Sequence, residues 1–189
     1  MYLYQPCLLT MALYAWAFDT AEQKGHYYRL LLPLVVLAVS EWELTYTRLW
    51  LYPAALLLPV LFLWRKPQTI AWDEVLTAAL FGGLLCWKIG ELLPLLSALM
   101  HLSVALILVP ICLLCRNRED RLLACALSGL FYELFFCLRE YMLFSFCVIR
   151  FGSRQALSLS TAAICADLLL EQVRLCLLAR RNHTVSIGN

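Results

Sequence analysis

Leu102-Ser103-Val104-Ala105-Leu106-Ile107-Leu108-Val109 is the run that decides the fold. Its apolar residues follow one another without the alternation that a barrel strand requires. Ala54-Ala55-Leu56-Leu57-Leu58 reads the same way. In lipid, such a segment satisfies its backbone N–H and C=O groups internally only as a helix. Extended outward, the first run becomes a stretch over 93–115. Comparable stretches cover 2–18, 30–46, 49–64, 70–89, 122–149 and 156–178. Each is long enough, or nearly so, to cross the roughly 30 Å hydrocarbon core of a bilayer. The linkers reach only about ten residues, too short for a soluble domain. The expectation is an all-α polytopic transmembrane helical bundle, a single domain over 1–189 with about seven transmembrane helices.

Composition agrees. The chain is 63% hydrophobic and 15% charged, with a mean hydropathy of +0.77, where soluble domains carry about 25% charged residues. A net charge of +2 without an Arg/Lys tract excludes nucleic acid as an expected partner. The expected partner is the lipid bilayer of the plasma (inner) membrane. A small solute, ion or proton, a membrane-protein partner or a second copy of the chain are the further candidates.

Two boundaries are tight. Thr45-Tyr46-Thr47-Arg48 separates the second and third stretches, and Gly90-Glu91 the fourth and fifth. Merging either pair gives a run of over about 50 Å at 1.5 Å per residue, too long for one crossing, so two hairpins are expected. The first stretch is read as a retained helix. No Lys or Arg precedes Lys24, and Pro6 interrupts the pattern of a signal peptide.

Basic residues in short loops set the orientation. Lys24, Arg29, Arg65, Lys66, Arg116, Arg118, Arg121, Arg180 and Arg181 fall on one side of a seven-crossing layout. Arg48, Lys88, Arg150 and Arg154 fall on the other. The bias predicts the N-terminus outside and the C-terminus in the cytoplasm. Trp42, Trp50, Trp64, Trp72 and Trp87 lie near stretch ends, where amphipathic rings favour the membrane interface.

Ionisable residues inside the stretches carry the functional signal, because a charge at the bilayer centre costs about 2.5–3.5 kcal/mol and calls for a partner. Glu133 falls near the middle of the sixth stretch, with Gly129, Cys137 and Glu140 on its helix face. Asp167 is expected at similar depth in the seventh, followed on one face by Glu171 and Arg174 and preceded by Ser160. The two acidic stripes are expected to face each other, with either one of the acids protonated or a cation such as Arg139 or Arg174 nearby. Glu41, Glu43, Lys88, Glu91, Ser97, His101, Arg139 and Glu140 would form a polar pocket open to the outside and tapering toward Glu133 and Asp167. The bland alternative is that these groups hold helices together at about 0.6 kcal/mol per interhelical bond.

The nine cysteines lie almost entirely within the stretches, where Cys serves as a small hydrophobe. Cys112 and Cys115 form one C-x-x-C without a second pair to complete a metal set, so neither metal nor cofactor is expected. Nucleophile-elbow, zinc-protease, Walker and dinucleotide motifs are absent from the sequence, and no enzymatic activity is expected. Gly82-Gly83 suits close helix packing. Pro67-Gln68, reminiscent of a PQ-loop, also fits a helix start.

The helix layout, the N-terminal stretch without basic residues and the mid-stretch acid in Ser128-Gly129-Leu130-Phe131-Tyr132-Glu133-Leu134-Phe135-Phe136 resemble the YphA-like membrane proteins of endospore-forming bacilli. That resemblance implies a bacterial inner-membrane protein without an established activity and transfers no catalytic residues. Two functions are expected to compete. One is a transporter or ion/proton-coupled permease using Glu133 and Asp167. The other is a structural or assembly protein, for example in sporulation, whose charges hold helices or a partner. No inverted repeat is detectable to strengthen the first.

Overall fold

The computed structural model describes residues 7–11, 35–36, 44–46, 49–63, 70–92, 100–144 and 149–187. These are predominantly helical. In chain order they give β1 (Leu44–Tyr46), β2 (Leu49–Leu51), α1 (Pro53–Leu63), α2 (Trp72–Leu92), α3 (Met100–Leu114), α4 (Arg118–Phe144), β3 (Ile149–Phe151) and α5 (Arg154–Ile187). Residues 7–11 are also helical. Helix α4 is central and touches each of the other four helices.

The helix starts are written in local chemistry. Asn117 opens α4. Its carbonyl accepts from the Arg121 N–H at 3.1 Å, and its Nδ2 donates to Asp120 Oδ2 at 3.0 Å. Glu119 and Asp120 then place negative charge in the first turn, as Asp73 and Glu74 do in α2, complementing the positive end of the helix dipole. Ser153 caps α5: its Oγ accepts from the Ala156 N–H at 3.2 Å and its carbonyl from the Leu157 N–H at 3.0 Å.

Small residues line the contact face of α2, and many large apolar side chains face outward. On α2 the residues turned inward are Val75, Ala78, Ala79, Gly82, Gly83 and Cys86, a stripe of mostly small groups at helical spacing. Trp72, Leu76, Leu80, Phe81 and Leu85 face outward. The closest approach is at Gly83, where a Cβ would stand 2.8 Å from the Phe131 Cβ of α4. The expected role of Gly82-Gly83 in close packing is therefore observed. On α4, Leu134, Leu138, Tyr141, Met142, Leu143 and Phe144 are exposed, Met142 by 77%. Asp120, Glu133 and Asp167 are buried. Many large apolar side chains thus lie outside, around a core that itself holds Leu58, Ile107, Ile111, Leu122, Leu157 and Ile164 together with these three acids.

The helix limits correct several expected boundaries. The third stretch, 49–64, opens with a strand and continues as an 11-residue helix, about 16 Å long and short of the about 20 residues a crossing takes. The reversal expected at Thr45-Tyr46-Thr47-Arg48 joins strands rather than helices, with Tyr46 opposite Leu49 in an antiparallel pair. Helix α2 runs through the expected break at Gly90-Glu91 to Leu92. Helix α4 ends at Phe144, not 149, and residues 149–151 form β3, which pairs in parallel with β2. The first stretch is described only over 7–11. The second is described only at 35–36, as helix, and at 44–46, as strand. Pro67, Gln68, Trp42 and Trp64 lie outside the described residues. Among the described residues, one helix, α4, is long and apolar enough to cross a membrane. Trp87 stacks on Phe135 of α4 with ring centroids 5.7 Å apart, so it packs between helices instead of standing as a free interfacial anchor.

Candidate functional site

Helices α4 and α5 run antiparallel along one seam, and the expected polar residues are distributed down its length. Gly129 sits near the middle. Its N–H donates to Ser160 Oγ at 3.2 Å, and Ser160 Oγ donates to the Ala126 carbonyl at 3.1 Å. A Cβ at position 129 would meet the Ala156 carbonyl oxygen at 2.5 Å and collide with Ser160 Oγ. Only glycine permits this approach, and the approach brings a hydroxyl of one helix onto the backbone of the other. Ser128 Oγ and Thr161 Oγ1 instead satisfy themselves on their own helices, at Cys125 O (2.7 Å) and Leu157 O (2.7 Å).

Glu133 closes one end of the seam. It is 6% exposed. Its Oε2 accepts from the Gly152 N–H at 2.6 Å and its Oε1 from the Ser153 N–H at 2.7 Å. Those amides open α5, so the carboxylate lies at the positive end of that helix dipole. Short bonds of this kind are charge-assisted. The local backbone explains the geometry. Gly152 has φ +76°, a conformation that L side chains rarely adopt, and it turns β3 into α5 so that two successive N–H groups converge on one point. Gly152 is also wedged against β2–α1, where a Cβ would lie 2.9 Å from the Tyr52 carbonyl oxygen. Glu133 thus fastens three parts of the chain at once: α4, the β3–α5 turn and, through Gly152, the start of α1.

Asp167 closes the other end. It is 2% exposed, and its Oδ1 accepts from Arg121 Nε at 2.9 Å. Arg121 also reaches Glu171 Oε2 through Nη2 at 3.5 Å. Arg118 Nε stands 3.0 Å from the same Glu171 oxygen, close enough for an ion pair but without hydrogen-bond alignment. The spacing follows from helix geometry: Arg118 and Arg121 share a face of α4 at i, i+3, and Asp167 and Glu171 share a face of α5 at i, i+4. Asp167 Oδ2 is buried with no hydrogen-bond partner among the described residues.

The expected facing of the two stripes is observed, but the expected level is not. Glu133 and Asp167 do not meet. Glu133 engages Gly152 and Ser153, whereas Asp167 engages Arg121, twelve residues earlier on α4. That separates the two anchor points by about 18 Å along the axis at 1.5 Å per residue. The physical reason is that α5 begins beside Glu133, eleven residues before the last residue of α4, not beside Phe144. The cations beside Asp167 are Arg121 and Arg118, which sequence reading assigned to a loop. Arg174 and Arg139, the cations expected there, are exposed. Glu140 is half-exposed, the side chain of His101 on α3 is not among those described, and Glu41 lies outside the described residues. Of the C-x-x-C, Cys115 is buried and Cys112 exposed. Among the described residues, no group of three His, Cys, Asp or Glu side chains is placed to hold a metal ion.

No protein-family model, curated protein or solved structure matches the chain.

Proposed function

We propose that the chain is a multi-pass protein of the plasma membrane with a structural or assembly role, in which interior carboxylates fasten helices rather than carry a solute. The observation that supports this most strongly is the engagement of both carboxylate oxygens of Glu133 by the amides that open α5. The membrane placement is supported by the exposed large apolar side chains of α2, α4 and α5, a surface that water disfavours and lipid tails accept. With the basic residues at the start of α4 and near the end of α5 in the cytoplasm, α4 runs outward and α5 returns inward.

A second reading, an ion- or proton-coupled permease, is favoured by one observation: the buried Asp167 Oδ2 lacks a hydrogen-bond partner among the described residues. The test is to express the chain in bacteria, extract membranes with alkaline carbonate, and reconstitute the purified protein into vesicles loaded with a pH-sensitive dye. The structural reading expects retention in the membrane pellet and a proton leak equal to that of vesicles lacking protein. An Asp167→Asn-sensitive proton flux would establish the permease reading in its place. Release by carbonate would overturn the membrane placement.

A further inference from the structure

Cysteines in apolar helices usually serve only as small hydrophobes, but one pair departs from that pattern. Cys165 on α5 directs its Sγ toward the Cys7 carbonyl oxygen at 3.2 Å, a contact spanning 158 positions of sequence. Cys7 packs against the buried cluster that holds Cys165, so the two side chains meet at one contact between the residue 7–11 helix and α5. Their burial is unequal: Cys7 is half-buried, whereas Cys165 is 8% exposed. The C-x-x-C at the end of α3 is also unequal in burial, but Cys115 directly follows the helix that carries Cys112, so a bond between them would tie no two elements together.

We propose that Cys7 and Cys165 are a redox-active thiol pair, a site that takes low-molecular-weight disulfides and closes to an intramolecular disulfide tying the residue 7–11 helix to α5. The unequal burial assigns the order of events. The deprotonated Cys7 Sγ attacks one sulfur of the incoming disulfide. The S–S bond of the reagent breaks, one thiolate leaves, and Cys7 carries the other half as a mixed disulfide. Cys165, adjacent and shielded, loses its proton and attacks Cys7 Sγ. The mixed S–S bond breaks, the second thiolate leaves, and the Cys7–Cys165 bond forms. The two protein thiols supply two protons and two electrons, which reduce one disulfide molecule to two thiols. The product locks the amino-terminal segment two residues from Asp167, on the helix that the ion pairs hold.

The experiment treats the purified full-length chain in detergent micelles with dithiodipyridine, quenches by acid and maps disulfides by peptide mass spectrometry. The expected product is a Cys7–Cys165 crosslink, lighter than the reduced peptides by two hydrogens and reversed by dithiothreitol. A wild-type chain whose Cys7 remains as a stable pyridyl adduct, or pairs with another cysteine, would overturn the proposal. The Cys165→Ser chain is expected to hold the pyridyl adduct on Cys7 indefinitely. Spontaneous loss of that adduct without Cys165 would remove its resolving role. Because the first measurement uses the unsubstituted chain, misfolding of a variant cannot stand in for a negative result.

Discussion

The two ends of the α4–α5 seam solve one physical problem in different ways. At the Arg121 end, the buried carboxylate of Asp167 is balanced by a guanidinium. At the Glu133 end, the carboxylate is held by two backbone amides at the start of a helix. A charge matched by a cation depends on one long side chain reaching across. A charge matched by backbone dipoles depends on the turn that aims them, here Phe151-Gly152-Ser153. The first end is therefore sensitive to side-chain identity at 121, and the second to the conformation at 152 as well as to the acid itself.

Removing the cation should have the largest effect. Arg121→Ala leaves Asp167 buried without its hydrogen-bonded cation, a change that costs about 3–5 kcal/mol in comparable buried pairs. A large drop in the midpoint of unfolding in mixed micelles is expected. An unchanged midpoint would mean that the Arg121–Asp167 contact contributes little. Glu133→Gln comes next. A glutamine keeps the size of the side chain but offers one acceptor oxygen, and its NH2 points donor against donor at the second amide. Losing a hydrogen bond to a charged group and stranding a buried N–H amount to about 2–4 kcal/mol. Glu133→Gln should reduce accumulation of the folded chain. Near-wild-type accumulation would show that the amide pair is not the anchor.

Smaller effects sharpen the same contrast. Gly129→Ala drives a methyl into the Ala156 carbonyl and Ser160 Oγ, where both opposing groups belong to a helix that must shift as a whole. Overpacking of this kind costs about 1–3 kcal/mol. The readout is a lower thermal midpoint together with loss of a crosslink engineered between residues 126 and 160. Arg118→Ala should matter least. Its side chain is 30% exposed in its ion pair with Glu171, so a change below about 1 kcal/mol is expected. A loss as large as that of Arg121→Ala would place the true anchor at Arg118.

This difference between the ends also explains what the sequence could reveal. Helical class, the burial of Glu133 and Asp167 and the facing of their stripes follow from side-chain periodicity, which is legible. Ser160, placed on the Asp167 face by spacing alone, does bond across to α4. The Arg118/Arg121 face was also within reach, since i, i+3 cations one turn into a helix match i, i+4 acids on an antiparallel neighbour. It was missed because those arginines were counted as loop charge. The partner of Glu133 was not legible, because backbone amides have no residue type. Finding it requires knowing that α5 starts at Ser153 and that Gly152 takes positive φ. The level of the two acids went wrong for the same reason. Equal distances from assumed stretch ends imply equal depth only if the next helix starts at the helix end, and α5 starts beside Glu133, eleven residues before the end of the 27-residue α4.

The most direct test is a double-mutant cycle between Glu133→Gln and Asp167→Asn, read as unfolding free energy in mixed micelles. Two separate anchors about 18 Å apart should give losses that add to within about 0.5 kcal/mol. A coupling energy above about 1 kcal/mol between positions 133 and 167, equal to or larger than that between 121 and 167, would contradict separate anchoring and restore a shared acidic centre.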